Sequence, residues 1–207
     1  MSRTVLRSLR LALASLLAVA LVAQLAIGMS RSAITVVRFF SYFTVLTNAM
    51  AVVLLIMLAV RPRRDASPRI AVFRGAITVY MSATGLAHAL PIAPGAGDVG
   101  VSEPWIDWCI RVIGPIAMAL DWIAHPPPVK VPGASLWIWP LFPVAYLGYS
   151  LIRGTLVDWY PYSFLDPAQG GYGTVAMWSG IVLVAISSLG YAYRWWANRR
   201  AAVTTKT

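Results

Sequence analysis

The stretch FFSYFTVLTNAMAVVLLIMLAV, residues 39–60, joins an apolar run long enough to cross a bilayer to a polar group at one end. A bilayer core of about 30 Å takes about 20 apolar residues in a helix. The polar group consists of Ser41, Tyr42, Thr44, Thr47 and Asn48. Hydrocarbon offers such side chains no hydrogen-bond partner. Because Thr44, Thr47 and Asn48 fall on one side of a helix, we expect that side to contact protein or water.

Runs of the same character occupy most of the remaining chain. Of the 207 residues, 59% are hydrophobic and 12% are charged, and the mean hydropathy is +0.70. The predicted spans are residues 8–29, 38–60, 70–90, 105–124, 135–153 and 173–194. Runs of this length indicate helices rather than the alternating strands of a transmembrane barrel. The sequence therefore predicts an all-α, polytopic membrane protein, with residues 1–207 forming a single six-helix bundle in the lipid bilayer.

The basic residues predict the orientation of this bundle. Of the 17 Lys and Arg residues, 13 fall in segments that would share one side of the membrane. They are Arg3, Arg7, Arg10, Arg61, Arg63, Arg64, Arg69, Arg74, Lys130, Arg194, Arg199, Arg200 and Lys206. The positive-inside rule then places both termini in the cytoplasm, as in a multi-pass protein of the cell membrane. The net charge of +10 is thus expected to face anionic lipids on the cytoplasmic side and not nucleic acid.

The long segment RGTLVDWYPYSFLDPAQGGYG, residues 153–173, lies on the opposite side and combines aromatic residues with turn residues. We expect it to fold back over the mouth of the bundle, either as an interfacial aromatic anchor or as a lid on a pocket. Cys109 is the single cysteine, and the two histidines fall on opposite faces. No metal site and no cofactor are therefore expected.

Three polar residues on different predicted spans lie at similar depth in the outer half of the bundle. Thr44 is about 9 Å from the surface, Arg111 is at a comparable depth, and His88 is about 5 Å deep. We expect the three side chains to enclose a small wet chamber. An arginine within a span costs about 2.5 to 3.5 kcal/mol on insertion scales. Asp107, one turn before Arg111, is available as its ion-pair partner.

Each of these residues has a structural and a functional interpretation. Arg111 either forms a self-neutralising pair with Asp107 or contacts an anion or an ester carbonyl. His88 is either an interfacial histidine or a general base. The threonines and Asn48 either hold helices together or take part in chemistry. At the inner end, Asp121 is expected to face Arg74 or Lys130.

Four segments carry a resemblance to a known family. FSYFTVLTN, PIAMALDW, WIWPLFPVAYLGYSLIRG and YPYSFLDPAQGGYG, in this order, resemble the bacterial six-span membrane proteins called Pr6Pr. These are related to the eukaryotic androgen-induced and androgen-dependent TFPI-regulating proteins. The resemblance implies a six-span fold and an intramembrane hydrolase that cleaves fatty acid esters of hydroxy fatty acids, with a threonine nucleophile and a histidine on a later span.

The resemblance assigns the nucleophile but not the base. Thr44 in FSYFTVLTN matches the family threonine, whose hydroxyl needs a neighbouring base to become nucleophilic. The family histidine lies one turn before the proline that corresponds to Pro115, and Arg111 occupies that position here. Since an arginine stays protonated, it cannot act as a base. His88 is the candidate substitute.

Two functional hypotheses follow. In the first, the protein is a Thr-dependent hydrolase of lipid esters with Thr44 and His88 as catalytic residues. The residues expected to bind its substrate are Arg111, Asn48, Thr47, Tyr42 and Asp107. In the second, the protein is a non-catalytic bundle that binds a lipid or another amphiphile, and Arg111 holds the acidic head. A transporter is disfavoured, because the sequence has no repeat and no broken pair of helices.

Overall fold

The computed structural model describes residues 2–60, 67–90 and 103–204, and all regular structure in these ranges is helical. The helices are α1 (Arg3–Ser30), α2 (Val36–Phe39), α3 (Phe43–Val60), α4 (Pro68–Ala89), α5 (Pro104–Asp107), α6 (Gly114–Ala124), α7 (Ser135–Val157) and α8 (Gly171–Thr204). A π-helix, Trp108–Ile113, joins α5 to α6, and 3-10 turns at Ser163–Leu165 and Pro167–Gln169 lie between α7 and α8. The predicted all-α class is confirmed. Arg61, Arg63, Arg64 and Lys206, which entered the charge argument, lie outside the described residues.

Within the described ranges, five helices are long and apolar enough to cross a membrane: α1, α3, α4, α7 and α8. The remaining predicted span, residues 105–124, is helical throughout but changes character along its length. It consists of α5, the π-helix and α6 in direct succession, with 4, 6 and 11 residues. The five long helices support the prediction of a membrane protein.

The last helix is longer than predicted. Hydropathy ended the sixth span at residue 194, whereas α8 continues to Thr204. In this extension the Arg199 guanidinium carbon lies 4.1 Å from the ring centroid of Trp195, within the range of a cation–π contact. Hydropathy marks the part of a helix that lies in lipid, and it does not detect a polar continuation.

Helix α4 lies at the centre of the bundle. In the most apolar part of α4, 56% of the residues are buried, against 17% in the corresponding parts of α7 and α8. Helix α4 packs against α3, α6, α7 and α8. Two glycines allow the close approach: a β-carbon at Gly75 would collide with the Trp139 ring, and one at Gly85 would meet Pro115. Small residues at such crossings are typical of helices packed in membranes.

An ion-pair network ties three helices together at the end where α4 begins. Asp121 of α6 accepts hydrogen bonds from Arg10 Nε of α1 at 3.2 Å and from Arg74 Nη2 of α4 at 2.8 Å. Arg74 Nη2 also donates to the His125 carbonyl at 2.8 Å. The predicted pairing of Asp121 with Arg74 is confirmed. Arg10 and Arg74 are both buried. These two basic residues therefore stabilise the bundle, whereas their position in the sequence suggested that they contact lipid headgroups.

Two prolines inside α7 would leave backbone carbonyls without partners, and a side chain from α4 compensates for one of them. Pro143 has no N–H to give to the carbonyl of Trp139, four residues earlier. The Tyr80 hydroxyl donates to that carbonyl oxygen at 2.7 Å. Trp139 Nε1 in turn donates to the Val72 carbonyl of α4 at 2.8 Å. Helix α7 is thereby bonded to α4 where its own hydrogen-bond ladder is interrupted.

Candidate functional site

A cavity of about 400 Å³ lies between α3, α4, α7, α8 and the turn at Ser163–Leu165. Its wall is overwhelmingly apolar. The polar groups on it belong to Thr44, Thr84, Tyr146, Tyr162 and Ser179. Ligand sites in proteins fall between about 300 and 1,000 Å³, with mostly apolar walls and a few placed polar groups. The cavity has the size and the wall chemistry of a small apolar ligand site.

Most of the polar groups on the wall are already bonded to the protein. Thr84 Oγ1 donates to the Tyr80 carbonyl at 3.0 Å, and the Tyr146 hydroxyl donates to the Ser41 carbonyl at 2.8 Å. Ser179 Oγ is buried and has no hydrogen-bond partner in the described chain. Sequence reasoning missed Ser179, because a single serine in an apolar span carries no signal of its own.

Thr44 and Tyr162 form the polar end of the cavity. Thr44 lies in the first turn of α3, where backbone N–H groups lack partners within the helix. Its N–H donates to the Tyr162 hydroxyl oxygen at 3.3 Å, and the two hydroxyl oxygens are 3.5 Å apart. Both side chains are buried. The expectation that the segment after α7 folds back onto the bundle is confirmed, since Tyr162 and Leu165 pack into its core.

The Tyr162 phenol stays protonated and can donate a hydrogen bond. Its pKa is raised, with burial as the largest influence. Hydrogen bonding to Thr44 and the charge of Arg111 act in the opposite direction and only partly offset this rise in pKa. A phenol of this kind polarises a neighbouring oxygen, but it does not remove a proton from Thr44 at neutral pH.

Thr47 and Asn48 face helix neighbours and do not line the cavity. Thr47 Oγ1 donates to the Thr44 carbonyl at 3.1 Å. Asn48 Nδ2 donates to the same carbonyl at 2.8 Å and to the Ile110 carbonyl at 3.1 Å. In a π-helix the Ile110 carbonyl would receive the N–H five residues later, but that residue is Pro115. Asn48 supplies the missing donor, and its own Oδ1 has no partner in the described chain.

The expected pair between Asp107 and Arg111 is present. Arg111 Nε lies 3.4 Å from Asp107 Oδ1, and the Arg111 side chain is only 7% exposed. Neither atom makes a hydrogen bond of good geometry within the described chain. The π-helix that carries Arg111 packs against α1, α3 and α4. Arg111 therefore lies on an element enclosed by three helices, and its charge acts on Tyr162 although it does not line the cavity.

His88 and Tyr42 also lie outside the cavity wall. His88 is exposed in the last turn of α4, while Thr84 and Ala87 of the same helix face the cavity. No described residue places a carboxylate or an imidazole against the Thr44 hydroxyl. The Tyr42 ring packs edge-on against Tyr162, with centroids 5.8 Å apart, and so helps to fix the position of the Tyr162 ring.

The cavity therefore differs from the wet chamber that the sequence suggested. Of the seven predicted site residues, Thr44 alone lines it. Its wall is apolar because it is bounded by α7 and α8, which contribute mostly aliphatic side chains, whereas Arg111 and His88 lie on other faces of their helices. A catalytic role for His88 and a substrate contact by Arg111 stay predictions.

Comparisons with protein-family models, with curated proteins and with solved structures find no match to this chain. Among the described residues, no three His, Cys, Asp or Glu side chains form a group that could hold a metal ion. The chemistry available at the site is thus that of buried hydroxyls next to an apolar cavity, with a guanidinium nearby.

Proposed function

We propose that the chain is a six-span integral membrane protein of the Pr6Pr type whose cavity binds the hydrocarbon part of a lipid or another amphiphile. In addition to the five long helices, the span between α4 and α7 is the helical run of α5, the π-helix and α6, which is about 30 Å long at 1.5 Å per residue. Six spans place both termini on one side, and the basic segments make that side cytoplasmic. The likeness of FSYFTVLTN and three later segments to the Pr6Pr proteins supports the same architecture.

One observation carries the binding proposal: an apolar cavity of about 400 Å³ ends at the buried hydroxyl pair of Thr44 and Tyr162. An amphiphile has the same division, with a hydrocarbon part for the wall and a polar head for the hydroxyls. The charge of Arg111, which acts on Tyr162, favours a head that is acidic or carries a carbonyl oxygen. Surrounding lipid supplies such molecules.

The binding proposal is tested by filling the cavity. Gly180 of α8 lines it, and a β-carbon there meets no atom within 4 Å, so Gly180→Leu projects into the empty space. A ligand forced against the added leucine would be overpacked, at a cost of about 1 to 3 kcal/mol of binding free energy. We therefore expect about tenfold weaker labelling by a photoactivatable fatty acid. Gly148→Leu on α7 is the matched control, since its β-carbon is equally free and Gly148 does not line the cavity. Equal labelling of the two variants would overturn the proposal.

Hydrolysis of a lipid ester is the second candidate, favoured by the Thr44 hydroxyl on the cavity wall. In this reaction Thr44 Oγ1 forms a bond to the ester carbonyl carbon, its proton passes to a base, and the alcohol leaves with a proton. Water then releases the acid from the acylated threonine. Because no described base contacts Thr44, the reaction requires His88 to approach it when substrate is bound.

Threonine variants separate the two candidates. Thr44→Val keeps the shape of the side chain but removes the nucleophile, and Thr44→Ser keeps the nucleophile. If the protein is a hydrolase, purified Thr44→Val loses turnover of a fatty acid ester of a hydroxy fatty acid, Thr44→Ser retains part of it, and His88→Gln lowers it. Absence of turnover by the unsubstituted protein would remove this candidate and leave amphiphile binding in place.

A further inference from the structure

Two arginines from separate parts of the chain lie against the ring of Trp159. The guanidinium carbon of Arg38, in α2, is 5.2 Å from the ring centroid, and that of Arg153, in the last turns of α7, is 5.1 Å away. Trp159 is itself fixed by an edge-on contact with Tyr42, at 5.7 Å between centroids. Both guanidiniums are within the range of about 6 Å for a cation–π contact. One indole thus contacts two like charges, one from α2 and one from α7.

Neither arginine has a carboxylate partner in the described ranges. Arg31, at the same end of the bundle, pairs with Glu103 at 2.6 Å, but no Asp or Glu lies within 4.0 Å of either Arg38 or Arg153. Asp158, next to Trp159 in sequence, makes no ion pair with them either. Within the described ranges, the Trp159 ring face is therefore the group that the two cations share.

Arg153 also carries an unused donor. Its Nη1 is buried and has no hydrogen-bond partner in the described chain. A charged donor that is withdrawn from water without an acceptor is costly, so its presence points to an acceptor from outside the chain. An anion bound beside the two guanidiniums would balance their charges and, once the Arg153 side chain turns toward it, would accept a hydrogen bond from Nη1.

We propose that Arg38 and Arg153, held by Trp159, form a binding site for a phosphate group at the membrane surface. Guanidinium forks match phosphate oxygens with paired hydrogen bonds, which an ammonium does not reproduce. The site lies just beyond the end of α7, where aromatic residues sit at the level of the lipid headgroups. The phosphate belongs either to an anionic lipid headgroup or to a soluble phosphate ester. The site is separate from the cavity and does not depend on its occupant.

The site is tested with the full chain in nanodiscs, with bound lipid counted by native mass spectrometry. We expect the unsubstituted protein to retain phosphatidylglycerol over phosphatidylcholine, and Arg38→Gln/Arg153→Gln to reduce that preference about tenfold. Arg31→Gln is the matched control, because it removes one charge from the same end without touching Trp159. If Arg31→Gln lowers the preference for phosphatidylglycerol by as much per charge removed as the double variant does, the proposed site is wrong.

The source of the phosphate is decided by a second arm in nanodiscs of phosphatidylcholine alone. If glycerol 3-phosphate stabilises the unsubstituted protein against heat more than it stabilises the double variant, the ligand is a soluble phosphate ester. Stabilisation by phosphatidylglycerol alone identifies the lipid headgroup. If neither phosphate compound distinguishes the two proteins, the proposal is wrong. Arg38→Lys/Arg153→Lys, which keeps both charges, is expected to bind more weakly than the unsubstituted protein and so reports on the guanidinium forks.

Discussion

Asn48 joins two helices through a carbonyl that a proline leaves without its donor. Both amide hydrogens are used, one toward Thr44 on its own helix and one toward Ile110 in the π-helix. Replacing Asn48 by Ala leaves the Ile110 carbonyl buried without a partner, which costs about 1 to 3 kcal/mol. We expect a correspondingly lower free energy of unfolding, measured by titration of the purified protein with a denaturing detergent.

The matched control for Asn48→Ala is Thr155→Ala. The Thr155 hydroxyl donates to the Ile152 carbonyl at 2.8 Å at an exposed position, so its loss removes a hydrogen bond without burying a polar group. We expect Thr155→Ala to unfold at nearly the same detergent fraction as the unsubstituted protein. If Asn48→Ala is as stable as Thr155→Ala, the bond to the π-helix contributes nothing to stability.

Asp121 is a second residue whose loss should be severe, because two buried arginines converge on it. Asp121→Asn removes this carboxylate, while Arg10 and Arg74 keep their charges. Breaking a buried ion pair in this way lowers the free energy of unfolding by on the order of 3 kcal/mol. Glu103→Gln is the control, since it removes the same charge from the exposed pair with Arg31, where about 0 to 1 kcal/mol is expected. Equal thermal stability of the two variants would contradict the role of the network.

Polar residues in an apolar run can be recognised from sequence, whereas their partners cannot. The prediction that Thr44, Thr47 and Asn48 face protein is confirmed, because hydrocarbon leaves them no alternative. The partner of Asn48 lies 62 residues away and exists because Pro115 lacks an N–H. The pairing of Arg111 with Asp107 was predictable, since both residues lie on one helix.

At the scale of elements, α7 depends on α4 where its own ladder is broken. Tyr80→Phe removes the donor to the Trp139 carbonyl and should cost about 1 to 3 kcal/mol of unfolding free energy. Pro143→Ala restores an N–H that can bond the same carbonyl. In the Pro143→Ala background, Tyr80→Phe should therefore be much less destabilising, and this coupling is measured by a double-mutant cycle. Purely additive effects would show that the tyrosine does not compensate for the proline.

Element types followed from the sequence, and their ends and irregularities did not. The apolar run at residues 105–124 predicted a helix but gave no sign of the π-helix, which packs against α1, α3 and α4. The cavity was likewise not predictable, because it is lined by side chains of four helices and of the segment after α7, whose packing the sequence does not reveal. The segment after α7 was predictable in outline, since its aromatic and turn residues favoured a return to the bundle.

At the scale of the whole molecule, the basic residues are divided unequally between the two ends of the bundle. Basic residues are numerous near the chain termini and in the loops predicted to lie on the same side, and two of them bond Asp121 within the bundle. Four arginines belong to the opposite end, and each contacts a carboxylate or an aromatic ring there. They are Arg31 with Glu103, Arg111 with Asp107, and Arg38 and Arg153 on Trp159. This unequal division is the basis on which the positive-inside rule predicts cytoplasmic termini, and the orientation stays a prediction.

The number of spans decides whether the two termini lie on one side of the membrane. If the run from α5 to α6 crosses the bilayer, Ser2 and Thr204 are both cytoplasmic and Ala168 is outside; if it does not, the termini lie on opposite sides. Single cysteines at these three positions, in a Cys109→Ala background, can be labelled with a membrane-impermeant maleimide. We expect Ala168→Cys to react in intact cells, and Ser2→Cys and Thr204→Cys to react only after permeabilisation. Reaction of one terminus alone in intact cells would reduce the spans to an odd number and would contradict the six-span bundle.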